Sequence, residues 1–520
     1  MKMTRRSAIL TSAAAASLAG GLRAAAESAS RPVKTTSGDY RGLTNNSGIH
    51  VFRGVRYGED TSVSRFVRPV AASRRTDLIT AEDYGPACPQ RAGTVTESED
   101  CLFLNIWTPG LNDGAKRPIM FYIHGGAYSN GSGSSPLYDG TNLAVKGDVV
   151  VITVNHRLNA FGYLYLDRLF PGTFPDSGNA GQWDLILALQ WVQQNAAAFG
   201  GDPDRVMVFG QSGGGAKIAT MMASPAAKGL FHAAATMSGQ QVTASGPLNA
   251  TLRASRYLEE IGLSSPEELK TAPVEMLLEG LTADDPVNET RNIYFGPVLD
   301  ERMLTRHPFW PDAPAQSASI PMILGNTADE TKAFLWNDTA FALSWDTLPA
   351  YLAAQMRCDI HPASVIASYR SWFPGLSPAE IMFKATTAGR SWRGQVEEAD
   401  ARAYQGAPTW VYQFDLPAAE PGRGAPHTID IEYAFDNLAQ PGAMSGTGPV
   451  AKRVADQLSS AFISLARHGD PNHAGLPQWD QHAIPDRQTM VFDTETRLIN
   501  DPRKRERELF AKVPFVQWGT

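Results

Sequence analysis

Short apolar or β-branched runs recur along the chain at residues 119–123, 149–154, 205–209, 233–237, 321–324, 409–414 and 490–492. Several are apolar without a break, which predicts strands buried on both faces. Between two of them, Leu185, Leu189, Val192 and Ala196 fall at helical steps, so residues 181–199 are expected to form a helix with one apolar face. Gly200-Gly201-Asp202-Pro203 supplies its stop. Strands alternating with helices imply an α/β architecture: a mostly parallel central sheet covered by helices on both faces. Residues 240–320 and 338–405 read as largely helical and are expected to form a lid region above the sheet.

No internal repeat and no long flexible linker divides the chain, so residues 27–520 are read as one domain with insertions. The 520 residues are 43% hydrophobic and 19% charged, the composition of a folded globular protein. Lys and Arg number 46 against 53 Asp and Glu, and no block of like charge marks a nucleic-acid or membrane-surface patch.

Residues 1–26 differ from the rest. Lys2, Arg5 and Arg6 precede an Ala-rich apolar run, and Ala24-Ala25-Ala26 follows it, the layout of a cleavable signal peptide. The run falls short of the ~20 apolar residues that a membrane span needs. The Arg5-Arg6 pair resembles a twin-arginine signal, with a Sec signal as the alternative. The expected location is therefore exported, periplasmic or secreted. Three cysteines, Cys88, Cys101 and Cys358, are too few for a disulfide scaffold and lack the spacing of a zinc site. In an oxidising compartment Cys88 and Cys101 are expected to pair and close a short loop, which leaves Cys358 as a buried free thiol.

The run at 205–209 leads directly into Gly210-Gln211-Ser212-Gly213-Gly214, and a helical pattern follows. This is G-x-S-x-G between a strand and a helix, where small neighbours let a serine sit on a sharp turn. The alternative is a glycine-rich turn with an idle serine. Lys217 does not complete a phosphate loop, because the G-K-[ST] pattern is absent. A serine nucleophile needs a base, an acid that orients the base, and donors for an oxyanion. His124-Gly125-Gly126-Ala127-Tyr128, after the run at 119–123, lets backbone N–H groups approach an oxyanion closely. For the base, the candidates late in the chain are His361, His427, His468, His473 and His482.

Taken with Glu99-Asp100-Cys101-Leu102-Phe103-Leu104-Asn105, Asn155-His156-Arg157-Leu158, Phe199-Gly200-Gly201-Asp202-Pro203 and Gly469-Asp470-Pro471-Asn472, these motifs resemble the type-B carboxylesterase/lipase family. The resemblance covers nearly the whole chain after residue 26. It implies an α/β-hydrolase fold and a cofactor-free, metal-free ester hydrolase acting on small molecules. Ser212 is then the nucleophile, with Gly126, Ala127 and Gly213 as oxyanion donors. It also selects Glu330 from Asp329-Glu330 as the acid, although Thr331 stands where the family usually has glycine, and His427 from Gly424-Ala425-Pro426-His427 as the base. The order Ser, Glu, His is that of α/β-hydrolases.

The resemblance also bears on substrate. The loop that carries a choline-binding tryptophan in cholinesterases has no aromatic residue here at 89–100, so a cation–π surface for choline is missing. Arg390 and Arg393 stand where many relatives place an aromatic and a proline. They are read either as a clamp for a carboxylate on the acyl group, as in tricarballylate esters of some fungal toxins, or as helix residues paired with Glu397 and Glu398. The rival classes are a non-catalytic adhesion module of the same fold and a serine peptidase.

Overall fold

Each of the seven apolar runs becomes a strand, and the seven lie side by side, all parallel. In this computed structural model the described residues are 27–517 and 519, apart from 92, 94, 289 and 290. The expected export signal, residues 1–26, lies outside them. The large sheet has twelve strands: β1 (Ser28–Ala29), β2 (Leu43–Thr44), β3 (His50–Arg56), β4 (Phe103–Thr108), β5 (Arg117–Ile123), β6 (Val150–Val154), β7 (Gly201–Gln211), β8 (Ala233–Met237), β9 (Met322–Thr327), β10 (Thr409–Phe414), β11 (Gln488–Phe492) and β12 (Arg497–Asn500).

Their order across the sheet is β1-β2-β3-β4-β6-β5-β7-β8-β9-β10-β11-β12. From β6 to β11 every neighbouring pair is parallel. The outer strands β1 to β4, and β12 at the far edge, pair antiparallel. A separate three-stranded sheet joins Val33–Thr35, Gly38–Arg41 and Leu78–Thr80.

The unbroken apolar runs are explained by the two cores. On β5, Ile119, Phe121 and Ile123 enter one core while Met120 and Tyr122 enter the other; on β7, Val206 and Val208 oppose Met207 and Phe209 in the same way. Helix α1 (Ala180–Asn195) covers the first face with Leu185, Leu189 and Val192, together with Ile218 and Met222 of α2 (Gly213–Ala223). Against the second face packs α6 (Pro449–His468), through Val454, Leu458, Phe462 and Leu465. The helix expected over 181–199 forms, its last turn tightening to 3-10 at Ala196–Phe199 before Gly200 in the left-handed region.

The insertions are helical, with one correction. Helix α3 (Pro247–Ile261) and two shorter helices occupy the first part of 240–320, but the described residues of 283–314 contain no helix. Pro286, Pro297, Pro308, Pro311 and Pro314 remove donors all along that stretch. Residues 338–405 are helical as expected, ending in α4 (Pro378–Thr386), a π turn at Thr387–Trp392, and α5 (Arg393–Gln405).

The cysteine expectation is also corrected. Cys88 and Cys101 are free and buried, and Cys358 is free but only partly buried. Contact with the Cys88 thiol, and then burial, push the Cys101 thiol far above its usual range. The loop between them is closed by backbone bonds instead, Ala87 N–H to Thr96 O and Ser98 N–H to Ala87 O, both 2.9 Å.

Candidate active site

Ser212, Glu330 and His427 all follow the C-terminal ends of parallel strands, β7, β9 and β10, where an open α/β sheet offers its ligand crevice. Ser212 has φ 55° and ψ −124°, a strained conformation for a residue with a side chain, at the start of α2. Its N–H donates to Met237 O at 2.8 Å. The turn is this tight because the glycines let it approach β5: a Cβ on Gly214 would strike the Ile123 carbonyl, and one on Gly213 the Ala127 carbonyl.

Glu330 is fully buried and every bond it makes orients it. One carboxylate oxygen accepts from Ser238 Oγ at 2.6 Å, Thr327 N–H at 2.8 Å and Asn326 Nδ2 at 3.2 Å. The other meets Nδ1 of His427 in a short hydrogen bond. Burial alone would raise the Glu330 pKa, but His427 and these donors outweigh it and hold the carboxyl below its usual value. Asp329, its neighbour in sequence, turns the other way: its carboxylate accepts from Ala425 N–H at 3.1 Å and pairs with Lys332 at 3.1 Å. Its N–H donates to Ala425 O at 2.9 Å, so the acid loop and the histidine loop are zipped together by backbone.

His427 is buried, with its ring beside Phe334 at a centroid distance of 4.9 Å. On its far side, Nε2 lies 3.1 Å from the side-chain nitrogen of Gln211. Ser212, Gly213, Gly126, Ala127 and His427 all line one cavity of about 1210 Å³. Gly126 (φ 85°) and Ala127 (φ 54°) both lie in the left-handed region. The loop is closed by Ser129 and Asn130 N–H groups donating to Gly126 O at 3.1 Å.

The two arginines part company. Arg390 lies on the cavity wall, 5.3 Å from the centre of the Phe334 ring, and Arg291 and Arg357 line the same wall. Burial, and then the positive charges of Arg390 and Arg291, push Arg357 down to about 7; burial and Arg291 push Arg390 down to about 10. Arg393 is corrected as a substrate-binding candidate. It is buried, donating to the backbone carbonyls of Phe510 and Val513, the latter at 2.9 Å, and pairing with Glu397 at 3.2 Å. The π turn that contains Arg390 and ends just before Arg393 widens the helix, so a three-residue step no longer keeps both on one face.

Sequence reading missed Gln211, Arg291, Arg357 and Ser238. Gln211 alone had a local signal, its place immediately before the serine. Among the described residues no helix is long and apolar enough to cross a membrane, and no three His, Cys, Asp or Glu side chains converge as metal ligands would.

Comparison with known proteins gives the family of the chain. A family model described as the carboxylesterase family matches residues 29–360 and 377–510. The para-nitrobenzyl esterase of Bacillus subtilis (strain 168) is 33% identical over 501 residues, covering 92% of this chain and 97% of that protein. A fumonisin B1 esterase of Sphingopyxis macrogoltabida is 31% identical over 75% of this chain and 71% of its own length. A carboxylesterase of Geobacillus stearothermophilus superposes with a TM-score of 0.82 at 34% identity, covering 92% of this chain and 99% of that one.

Proposed function

The chain belongs to the carboxylesterase family and is a carboxylic ester hydrolase, and we propose that it works by two-step acyl transfer through Ser212. The observation that carries this reading is the short bond from the anchored Glu330 to Nδ1 of His427, beside Ser212 in one cavity. A carboxylate there keeps the proton on Nδ1 and leaves the Nε2 lone pair for the serine proton. Ser212 Oγ attacks the ester carbonyl while His427 takes its proton, and the N–H groups of Gly126, Ala127 and Gly213 receive the oxyanion. The C–O bond to the alcohol breaks as His427 returns the proton to the leaving oxygen. Water then attacks the acyl-enzyme with His427 again as base, and the acyl C–Oγ bond breaks as His427 returns the proton to Ser212, releasing the carboxylic acid.

The test is rapid mixing with a nitrophenyl ester. A burst of nitrophenol is expected, and it should vanish in Ser212→Ala with kcat down by several orders of magnitude. A variant keeping more than about a tenth of the activity overturns the nucleophile assignment, and turnover of peptide amides at ester-like rates would favour the peptidase reading instead.

The finer reading concerns substrate. Arg291, Arg357 and Arg390 on the cavity wall favour an acyl group bearing carboxylates, since guanidinium groups bind carboxylates in pairs of parallel hydrogen bonds. The similarity to an esterase named for fumonisin B1 supports placing tricarballylate esters of fungal toxins among the candidates. Faster turnover of carboxylate-bearing than of neutral esters of equal size is expected, and equal rates would remove the reading. Export belongs to the same proposal, supported by Lys2, Arg5, Arg6 and the Ala-rich run. Its check is the N-terminal residue of protein recovered from outside the cytoplasm.

A further inference from the structure

Lys217 is fully buried, one turn and a half beyond Ser212 on α2. Its ammonium donates to the backbone carbonyl of Ala127 at 2.7 Å and lies 5.1 Å from the centre of the Tyr128 ring. Among the described residues no carboxylate bonds to it. The groups that face it are His124 from the end of β5, His156 from beyond β6, and Tyr128, behind which Glu398 of α5 acts. The two imidazoles stack at 4.8 Å, and burial together with the Lys217 charge keeps both neutral, His124 being pushed down to about 3. Each turns Nδ1 to a backbone carbonyl at 2.9 Å. The lysine is thus a single buried cation behind a loop of neutral groups.

That loop needs holding. Ala127 has a positive φ that a side-chain-bearing residue adopts only when its surroundings impose it. Its carbonyl is squeezed between Gly213 and the Lys217 ammonium. One side chain on the nucleophile's helix therefore fixes the peptide next to an oxyanion donor contributed by a different strand end.

We propose that Lys217 is a positioning residue for ester hydrolysis: as an ammonium it holds the Ala127 carbonyl, which fixes the Ala127 backbone so that the N–H on the preceding peptide, that of Ala127 itself, faces the developing oxyanion, and it sets a positive charge behind that site. The charge is offset when the tetrahedral oxyanion forms, so the stabilisation is larger in the transition state than in the bound ester. Lys217 keeps its proton throughout and transfers none. The inference rests on the reading of Ser212 as nucleophile and Ala127 as oxyanion donor. Burial pushes Lys217 down to about 7, so the cationic form is lost on the alkaline side.

The experiment compares wild type with Lys217→Met, which keeps the apolar stem but removes charge and donor. Expected are a kcat lower by ~10-fold to ~100-fold with KM changed by less than about threefold, and weaker binding of a trifluoromethyl ketone, which forms an oxyanion on the serine, by a similar factor. Wild-type kcat should fall above about pH 7, and that alkaline limb should be missing in Lys217→Met. A merely structural lysine would lower thermal stability without splitting kcat from KM or removing the limb. An unchanged kcat in Lys217→Met, or an alkaline limb that persists in it, overturns the inference. If that variant fails to fold, Lys217→Gln decides: kcat and ketone affinity equal to wild type overturn the proposal, and a loss of both with KM changed by less than about threefold supports it. A burst that survives in Ser212→Ala removes the nucleophile reading and this inference together, whereas a lost burst beside an unaltered Lys217→Met removes this inference alone.

Discussion

The side-chain nitrogen of Gln211 stands 3.1 Å from Nε2 of His427, the nitrogen that takes the proton of Ser212 in the proposed mechanism. With Nδ1 committed to Glu330, an amide N–H donated to Nε2 occupies the lone pair the serine needs, and productive attack requires the amide to release it. Gln211→Glu replaces that donor by a carboxylate, which favours the imidazolium. The acid limb of kcat/KM should move up by about one pH unit or more. A pH–rate profile superposing on wild type would show that Gln211 does not act on the imidazole.

Glu330 and Asp329 are adjacent, yet only Glu330 reaches the imidazole. Glu330→Gln should lower kcat by roughly 10²-fold to 10⁴-fold with folding retained. Asp329→Asn should leave kcat within about threefold, because Asn can still accept from Ala425 N–H; the lost pair with Lys332 costs at most about 1 kcal/mol. Steady-state kinetics and thermal melts on both variants decide, and the reverse ranking of kcat would reassign the acid.

Arg390 and Arg393 should separate by readout. Arg393→Ala abandons the Phe510 and Val513 carbonyls in a buried site, so a loss of about 2 to 4 kcal/mol in denaturant unfolding is expected, with the ratio of charged to neutral ester turnover intact. Arg390→Ala should instead weaken any preference for carboxylate-bearing esters. A changed preference in Arg393→Ala at unchanged stability would return that residue to the cavity wall.

Glu398 is buried on α5, one oxygen accepting from Gln241 N–H at 2.6 Å, and burial pushes it from 4.5 up to about 8. The folded chain therefore holds a proton that the unfolded chain releases between those values, and this group's contribution to stability falls as pH rises through that window. Glu398→Gln keeps the acceptor and removes the titration. Its melting temperature should match wild type near pH 4.5 and exceed it near pH 8. Parallel pH–stability curves for the two proteins would disprove the assignment.

The parallel core was legible because β5 to β11 are buried on both faces, and a strand in that position must be apolar at every residue. Helix α1 was legible for the same local reason, its apolar residues repeating with the helix turn. Ser212 and the Gly126-Ala127 loop were readable because a tight turn demands small residues beside them. The choice of His427 from five histidines, and of Glu330 from two acids, needed the family resemblance, since a loop residue carries no periodic signal of what it faces. The antiparallel strands β1 to β4 were not legible as a set: β1 and β2 have two residues each, β3 is bulged, and β4, though buried throughout, pairs antiparallel only through the partners it finds.

The rest was decided by contacts between distant segments. Arg393 meets a carbonyl 117 residues later, and the π turn that sends Arg390 elsewhere depends on how α4 and α5 join. Arg291 and Arg357 reach the cavity from insertions that give no hint of a shared wall. Cys88 and Cys101 have disulfide spacing, but spacing along a chain says nothing about whether a bond forms. What the chain determined alone is whatever a residue's immediate neighbours impose through burial period and turn sterics. What needed the tertiary structure is the direction in which a side chain points, because that follows from packing against residues far away in sequence.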